Sequence, residues 1–149
     1  MKDGGHATNP KFSSTSSVQI ALSRFNEIKV NGASGTVEVG AGLTWDQVCA
    51  ALKPAGLNVV RGRAPGIVVA GLTLGGGENL DCQRPGTDMI LGYSFHSSQY
   101  GLSLDNVAGF ELVLSNGTII NVTSKNEDLW FALRVSENSS IKDGVINAL

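Results

Sequence analysis

Residues 71–95 read GLTLGGGENLDCQRPGTDMILGYSF. An apolar lead-in ends in three successive glycines, Gly75–Gly77. A polar, proline-bearing stretch follows before an aromatic segment resumes at Tyr93. Nineteen of the 149 residues are glycine, well above the usual share of about 7%. They cluster at Gly4-Gly5, Gly40 and Gly42, Gly62–Gly77 and Gly101. Clustered glycine marks backbone held in unusual dihedrals or brought close to a ligand. Taken alone, GLTLGGG reads as a tight turn before it reads as a ligand cradle. No G-x-x-x-x-G-K-[ST] sequence is present, and no G-x-G-x-x-G set stands between a strand and a helix. P-loop and Rossmann sites are therefore not expected.

With 42% hydrophobic and 16% charged residues, the chain is globular and long enough for one ordinary domain with a real core. Its net charge of −2 and lack of any Lys/Arg run leave no electrostatic footprint for nucleic acid. No apolar stretch approaches the roughly 20 residues of a membrane span, and no leader is read ahead of Gly4. Those features point to a soluble chain. Three glycosylation sequons, at Asn116, Asn121 and Asn138, point instead to a secretory origin. The two cysteines, Cys49 and Cys82, settle neither compartment and form no metal-ligand spacing, so no metal site is expected.

Outward from the glycine run, GTVEVGAG predicts a strand with Val37 and Val39 on one face. LTWDQVCAALKPAGL predicts the best helix, capped by Thr44 with Gln47 three residues later and stopped by Pro54 and Gly56. Val18–Ile28 reads as a short strand and a bend. LNVVRG and GIVVAGLTLGGG read as strand-like or extended, glycine-bounded segments. YGLSLDNVAGFELVLSNGTIINVT reads as two strands joined at Asn116-Gly117, and NEDLWFALR as a short helix with Glu127 and Asp128 at its start. Short strands with few helices predict an α+β fold without internal repeats.

The order of the pieces is more specific than any one of them. GGHATNPKFSST, VQIALSRFN, VEVGAGLTWDQV, GLTLGGG, YSFHSSQYGLSLDNV, FELVLSNGTIINVT and DLWFAL follow in series. This series resembles the fungal berberine bridge enzyme-like oxidases, FAD-linked oxidoreductases of the vanillyl-alcohol-oxidase type. The resemblance covers nearly all of Gly4–Leu133. It implies an FAD-binding domain of the PCMH type, built from two α+β subdomains with the cofactor extended between them. It implies that backbone N–H groups at Gly4, Gly5, Gly71, Gly75, Gly76 and Gly77 hold the pyrophosphate. His6 is then the point at which FAD would be bonded covalently, through an imidazole that is mostly neutral at physiological pH. Asn106 and Val107 would line the flavin with their backbone. Tyr100 would pack near the isoalloxazine or, equally, in the core, and His96 would be structural or near the cofactor. A second, cysteinyl link is not expected, because Ala64 or a neighbour stands where that cysteine would lie and Cys49 belongs to a packed helix. The implied reaction is oxidation of a small alcohol, sugar or amine, with hydride transfer to FAD and O2 as acceptor. Full-length members are expected to be secreted. The chain itself is expected either to supply the cofactor-binding part of such an enzyme or to be a truncated, non-catalytic remnant. Its catalytic residues and oligomeric state are not assigned.

The sequence departs from that family pattern at three places. The chain begins within the GGH motif, with Asp3 where a small residue is usual, so the unit that normally precedes it is expected to be missing. Glu78–Gly92 separate GGG from YSF. After LWFALR the chain continues as VSENSSIKDGVINAL, so the C-terminal substrate domain is expected to be missing too. Residues 1–134 are thus read as part of an FAD-binding domain, 78–92 as an atypical insertion and 135–149 as an atypical tail. Codons for Gly77-Glu78 and Val135-Ser136 can contain splice-donor sequences, so retained introns are the favoured reading over a surface insertion or a frameshift. An aggregation-prone product with weakened flavin binding is expected.

Overall fold

Thr44 does what its spacing predicts. In a computed structural model of the chain, its Oγ1 accepts from the Gln47 backbone N–H at 3.4 Å, while Gln47 Oε1 accepts from the Thr44 N–H at 2.9 Å. The helix that follows, α1 (Trp45–Leu52), buries Trp45, Val48 and Leu52. It passes into a 3-10 turn over Lys53–Ala55, and Gly56 ends that turn in the left-handed region at φ 67°. The structure describes Gly4 and residues 16–62, 64–74, 97–134 and 145–148.

Two hairpins supply most of the sheet. β1 (Ile28–Asn31) pairs antiparallel with β2 (Thr36–Val39), placing Ile28 opposite Val39. Val37 and Val39 face the core as alternation predicts. β3 (Phe110–Val113) pairs antiparallel with β4 (Ile119–Val122). Their turn closes through Gly117 N–H to the Leu114 carbonyl at 2.8 Å, with Gly117 at φ 81°. α4 (Glu127–Arg134) then carries Glu127 and Asp128 in its first turn and Arg134 in its last, the order its dipole favours.

The chain's last described segment joins the hairpins. β5 (Val145–Ala148) lies between β2 and β3, so the sheet runs β1-β2-β5-β3-β4 with every pair antiparallel. The stretch that sequence reading leaves as an atypical tail therefore ends in the sheet's central strand.

Two short helices complete the described elements: α2 (Val69–Leu74) and α3 (Ser97–Tyr100). α2 corrects the extended reading of GIVVAGLTL. A short apolar run has no periodicity that separates strand from buried helix, and tertiary bonds decide it here. Trp45 N–H donates to the Ile67 carbonyl at 2.9 Å, Val69 N–H to Leu43 at 2.8 Å and Ala70 N–H to Ala41 at 3.3 Å. The chain then coils, with Thr73 Oγ1 bonded back to the Val69 carbonyl at 2.7 Å. Three further segments depart from expectation. Val18–Ala21 precedes a 3-10 turn at Leu22–Arg24, and regular strand begins only at Ile28. Leu57–Gly62 forms no strand. Ser103–Asn106 is a 3-10 turn, so the strand expected from YGLSLDNVAGF starts at Phe110.

The core has two main parts. Under β1 and β2, Val39, Leu43, Trp45, Val48, Leu52, Val69 and Leu72 pack together. Under β3 and β4, Leu104, Phe110, Leu112, Val122 and Leu133 do the same. A smaller cluster of Leu22, Ala41 and Ala70 joins the N-terminal segment to α2. Gly42 is required there. Its N–H donates to the Phe25 carbonyl at 2.9 Å, and a Cβ on it would overlap the Leu22 carbonyl.

Candidate cofactor site

The segments that sequence reading singles out converge on α2. At its head, Gly4 lies so close to the lead-in residue Val68 that an added Cβ would sit 2.7 Å from Val68 Cγ2. At its tail, Leu74 packs against the same cluster as Val107, that of Leu104, Phe110, Leu112, Val122 and Leu133. Gly4 of the GGH segment and Val107 of the segment ending in DNV thus lie toward opposite ends of this six-residue helix. Gly71 is an exposed residue of α2, and a Cβ there would meet nothing within 4 Å among the described residues. Packing does not demand a glycine at this position. His6, Gly5, Gly75, Gly76, Gly77, His96 and Cys82 lie outside the described residues.

Val107 also lines a cleft of about 590 Å³ between the two halves of the core. One wall comes from Thr36, Val37, Trp45 and Leu57–Val60, the other from Gln99, Tyr100, Ser103 and Asn106–Ala108. Tyr100, Asn106 and Val107 therefore share one wall. Tyr100 is 60% exposed, which removes the core reading of that residue. Asn106 contributes more than backbone: its Nδ2 donates to the Tyr100 and Leu102 carbonyls, both at 2.9 Å, and ties the wall to itself. Sequence reading overlooked Trp45 and Ser103. Both are buried in the cleft walls, and Trp45 Nε1 and Ser103 Oγ find no hydrogen-bond partner among the described residues. Unsatisfied buried polar atoms are rare and call for an explanation such as a ligand or a water. In the sequence, Trp45 is indistinguishable from an ordinary apolar position of α1, and a serine beside Leu104 carries no signal.

A second depression, of about 410 Å³, lies on the outer face of the sheet among Arg24, Glu27, Lys29, Glu38 and Glu111. Lys29 Nζ lies 3.1 Å from Glu27 and 3.8 Å from Glu38 there. The hydrogen bond to Glu27 and the surrounding carboxylates hold the Lys29 ammonium above its ordinary pKa. The buried polar atoms of Trp45 and Ser103, unpartnered among the described residues, make the first cleft the stronger candidate. Among the described residues no three His, Cys, Asp or Glu side chains group as metal ligands, and no helix is long and apolar enough to cross a membrane.

The α+β fold is of the class found in FAD-binding domains. Residues 2–123 match the FAD binding domain family, and the chain belongs to it. An uncharacterized FAD-linked oxidoreductase of Arthroderma benhamiae is 39% identical over 136 residues, 90% of this chain and 24% of that protein. The FAD-dependent monooxygenase FUP4 of Fusarium proliferatum is 34% identical over 93% of this chain and 24% of its own length. Among solved structures, the BBE-like 1 protein of Physcomitrella patens superposes with a TM-score of 0.67 at 28% identity, over 86% of this chain and 24% of that one. The chain thus spans about a quarter of the length of these relatives. It is an FAD-binding domain of the FAD-linked oxidoreductases, with berberine bridge enzyme-like proteins among its structural neighbours.

The walls suit a dinucleotide cofactor. About 590 Å³ is within the usual range for ligand pockets. Tyr100 offers an exposed ring, Trp45 and Ser103 hold unspent donors, and Gly71 leaves its side of α2 open.

Proposed function

We propose that FAD lies along the α2 convergence and the adjoining cleft. Backbone N–H groups of Gly4, Gly5, Gly75, Gly76 and Gly77 hold its pyrophosphate, and Gly71 leaves space beside them. Tyr100, Asn106 and Val107 border the ring system, and His6 supplies the imidazole nitrogen for a bond to the flavin 8α-carbon. Glycine suits the phosphate role because backbone without a Cβ lets N–H groups approach an anion closely. The observation that carries the reading is the placement of α2 between these segments: Gly4 against Val68 at its head, and Leu74 packed at its tail against the same core cluster as Val107.

Bound FAD would supply hydride acceptance in the oxidation of a small alcohol, sugar or amine, with O2 as the final electron acceptor. That reaction is proposed for full-length proteins of this kind. Residues 1–134 are proposed to contribute cofactor binding to it. In the described residues the chemistry is that of a holder: the DNV wall is fixed by Asn106, and Tyr100 lines the same wall.

The test is to titrate the purified chain with FAD, following flavin fluorescence, and then to precipitate it with acid. Saturable quenching supports the site. Yellow protein after precipitation, lost in His6→Ala, supports the covalent bond. Absence of quenching by a folded chain overturns the reading and leaves the non-catalytic remnant. Deleting Glu78–Gly92, so that Gly77 joins Tyr93, is expected to tighten FAD binding at least tenfold if the stretch is foreign to the cofactor loop.

A further inference from the structure

The cleft wall formed by Tyr100–Val107 is held from outside by one carboxylate. Asp105 Oδ2 accepts from the Leu102 backbone N–H at 2.9 Å, closing the loop on itself. Its other oxygen, Oδ1, accepts from Arg134 Nη2 at 2.9 Å, across 29 residues of sequence. The guanidinium lies over the Trp130 ring, 5.5 Å from the centroid, and Trp130 packs against the fully buried Phe110 with centroids 5.6 Å apart. An unbroken line of contacts therefore runs from core to loop: Phe110, Trp130, Arg134, Asp105, Leu102.

Gly101 shows how closely this arrangement is fitted. It sits at φ 76°, and a Cβ there would lie 2.7 Å from Asp105 Oδ2. The glycine thus makes room for the carboxylate. An arginine suits the other end, because its planar fork can bond a carboxylate while its face stacks on an indole. Asp105 and Arg134 are each partly exposed, with side-chain exposures of 50% and 32%. An isolated pair so placed contributes little to global stability. Its effect is local, on where the loop stands.

We infer that Arg134 is a positioning residue for the cofactor: acting through Asp105, it holds the Tyr100–Val107 wall in the conformation that FAD meets. The inference rests on the proposed FAD site and adds a residue remote from it. Neither Arg134 nor Asp105 lines the cleft.

The experiment compares the full chain with Arg134→Ala, Arg134→Lys, Asp105→Asn and the double variant Arg134→Ala/Asp105→Asn. FAD affinity, backbone hydrogen exchange and thermal midpoint are measured on each. The expected result is faster exchange confined to residues 102–107 and about tenfold weaker FAD binding in Arg134→Ala, with the thermal midpoint little changed. Lysine restores part of both effects, since it returns the charge without the fork. The double variant is no worse than Asp105→Asn, as for two members of one contact line. Unchanged exchange at 102–107 overturns the inference. So does faster exchange with unaltered FAD affinity, or a loss spread over the whole chain with a lowered midpoint. If the unaltered chain fails to bind FAD, the site reading fails. The exchange measurement then decides separately whether Arg134 holds the loop.

Discussion

Gly42 and Cys49 show what single residues contribute. Gly42 is glycine because the Leu22 carbonyl occupies the space of its Cβ, at the point where the N-terminal segment crosses β2's exit. Gly42→Ala must push two backbones apart. It is expected to cost about 1–3 kcal/mol, the range for overpacking a tight site, measured as a lowered denaturant midpoint with unchanged slope. Cys49 is half-buried on α1, and burial raises its thiol pKa against the opposing influence of Arg61. The folded state thus favours the neutral thiol. Its contribution is complete below the ordinary thiol pKa and lost as pH rises through the folded value. Alkylation of Cys49 in the native chain, followed by peptide mapping, should be slow at neutral pH and should quicken only above the pH at which the denatured chain already reacts. The glycine cluster was visible in the sequence as a demand for close approach. That the demand at Gly42 comes from Leu22, and not from a ligand, needed the fold.

At the scale of elements, α1 and the β3–β4 hairpin were legible because their signals are local. The capping box of Thr44 and Gln47 specifies where α1 starts, and Asn116-Gly117 specifies where the hairpin turns, with Gly117 at φ 81°. Thr44→Ala removes the side-chain acceptor for the Gln47 N–H and should cost about 1 kcal/mol, read as a drop in thermal midpoint. The same hairpin presents Asn116 and Thr118 on the exposed turn and Asn121 on the exposed side of β4, so two of the three sequons are open to solvent. α2 was not legible. Its residues are apolar on nearly every side, so no periodicity marks it. Its first turn is set by carbonyls of Ala41 and Leu43, almost thirty residues earlier. Ser103–Asn106 escaped for a related reason: alternating Leu102 and Leu104 imitate a strand, while Asp105 and Asn106 bend the chain with side-chain bonds to its own backbone.

For the whole molecule, the β5 strand is the decisive piece. Without it β2 and β3 would be facing edges, with no strand between the hairpins that carry the two core clusters. A chain ending at Arg134 is therefore expected to lose several kcal/mol, at about 1 kcal/mol per sheet hydrogen bond removed, and to aggregate through the uncovered edges. Light scattering during thermal unfolding, compared with the full chain, checks this. Residues 145–148 also show where sequence reading stops: VINA is an ordinary apolar tetrapeptide, and its value lies in the vacancy between two distant strands. Sequence alone was sufficient for the family, the α+β class, the cap, the hairpin turn and the glycine segments, because each is written in neighbouring residues or in their order along the chain. Tertiary structure alone decided that α2 is a helix, that β5 is central, that Tyr100 faces the cleft, that Trp45 and Ser103 keep unspent polar atoms in its walls, and that Arg134 reaches Asp105. Each of those depends on partners tens of residues away, and only the folded chain brings such partners within the few ångströms over which packing and hydrogen bonds act.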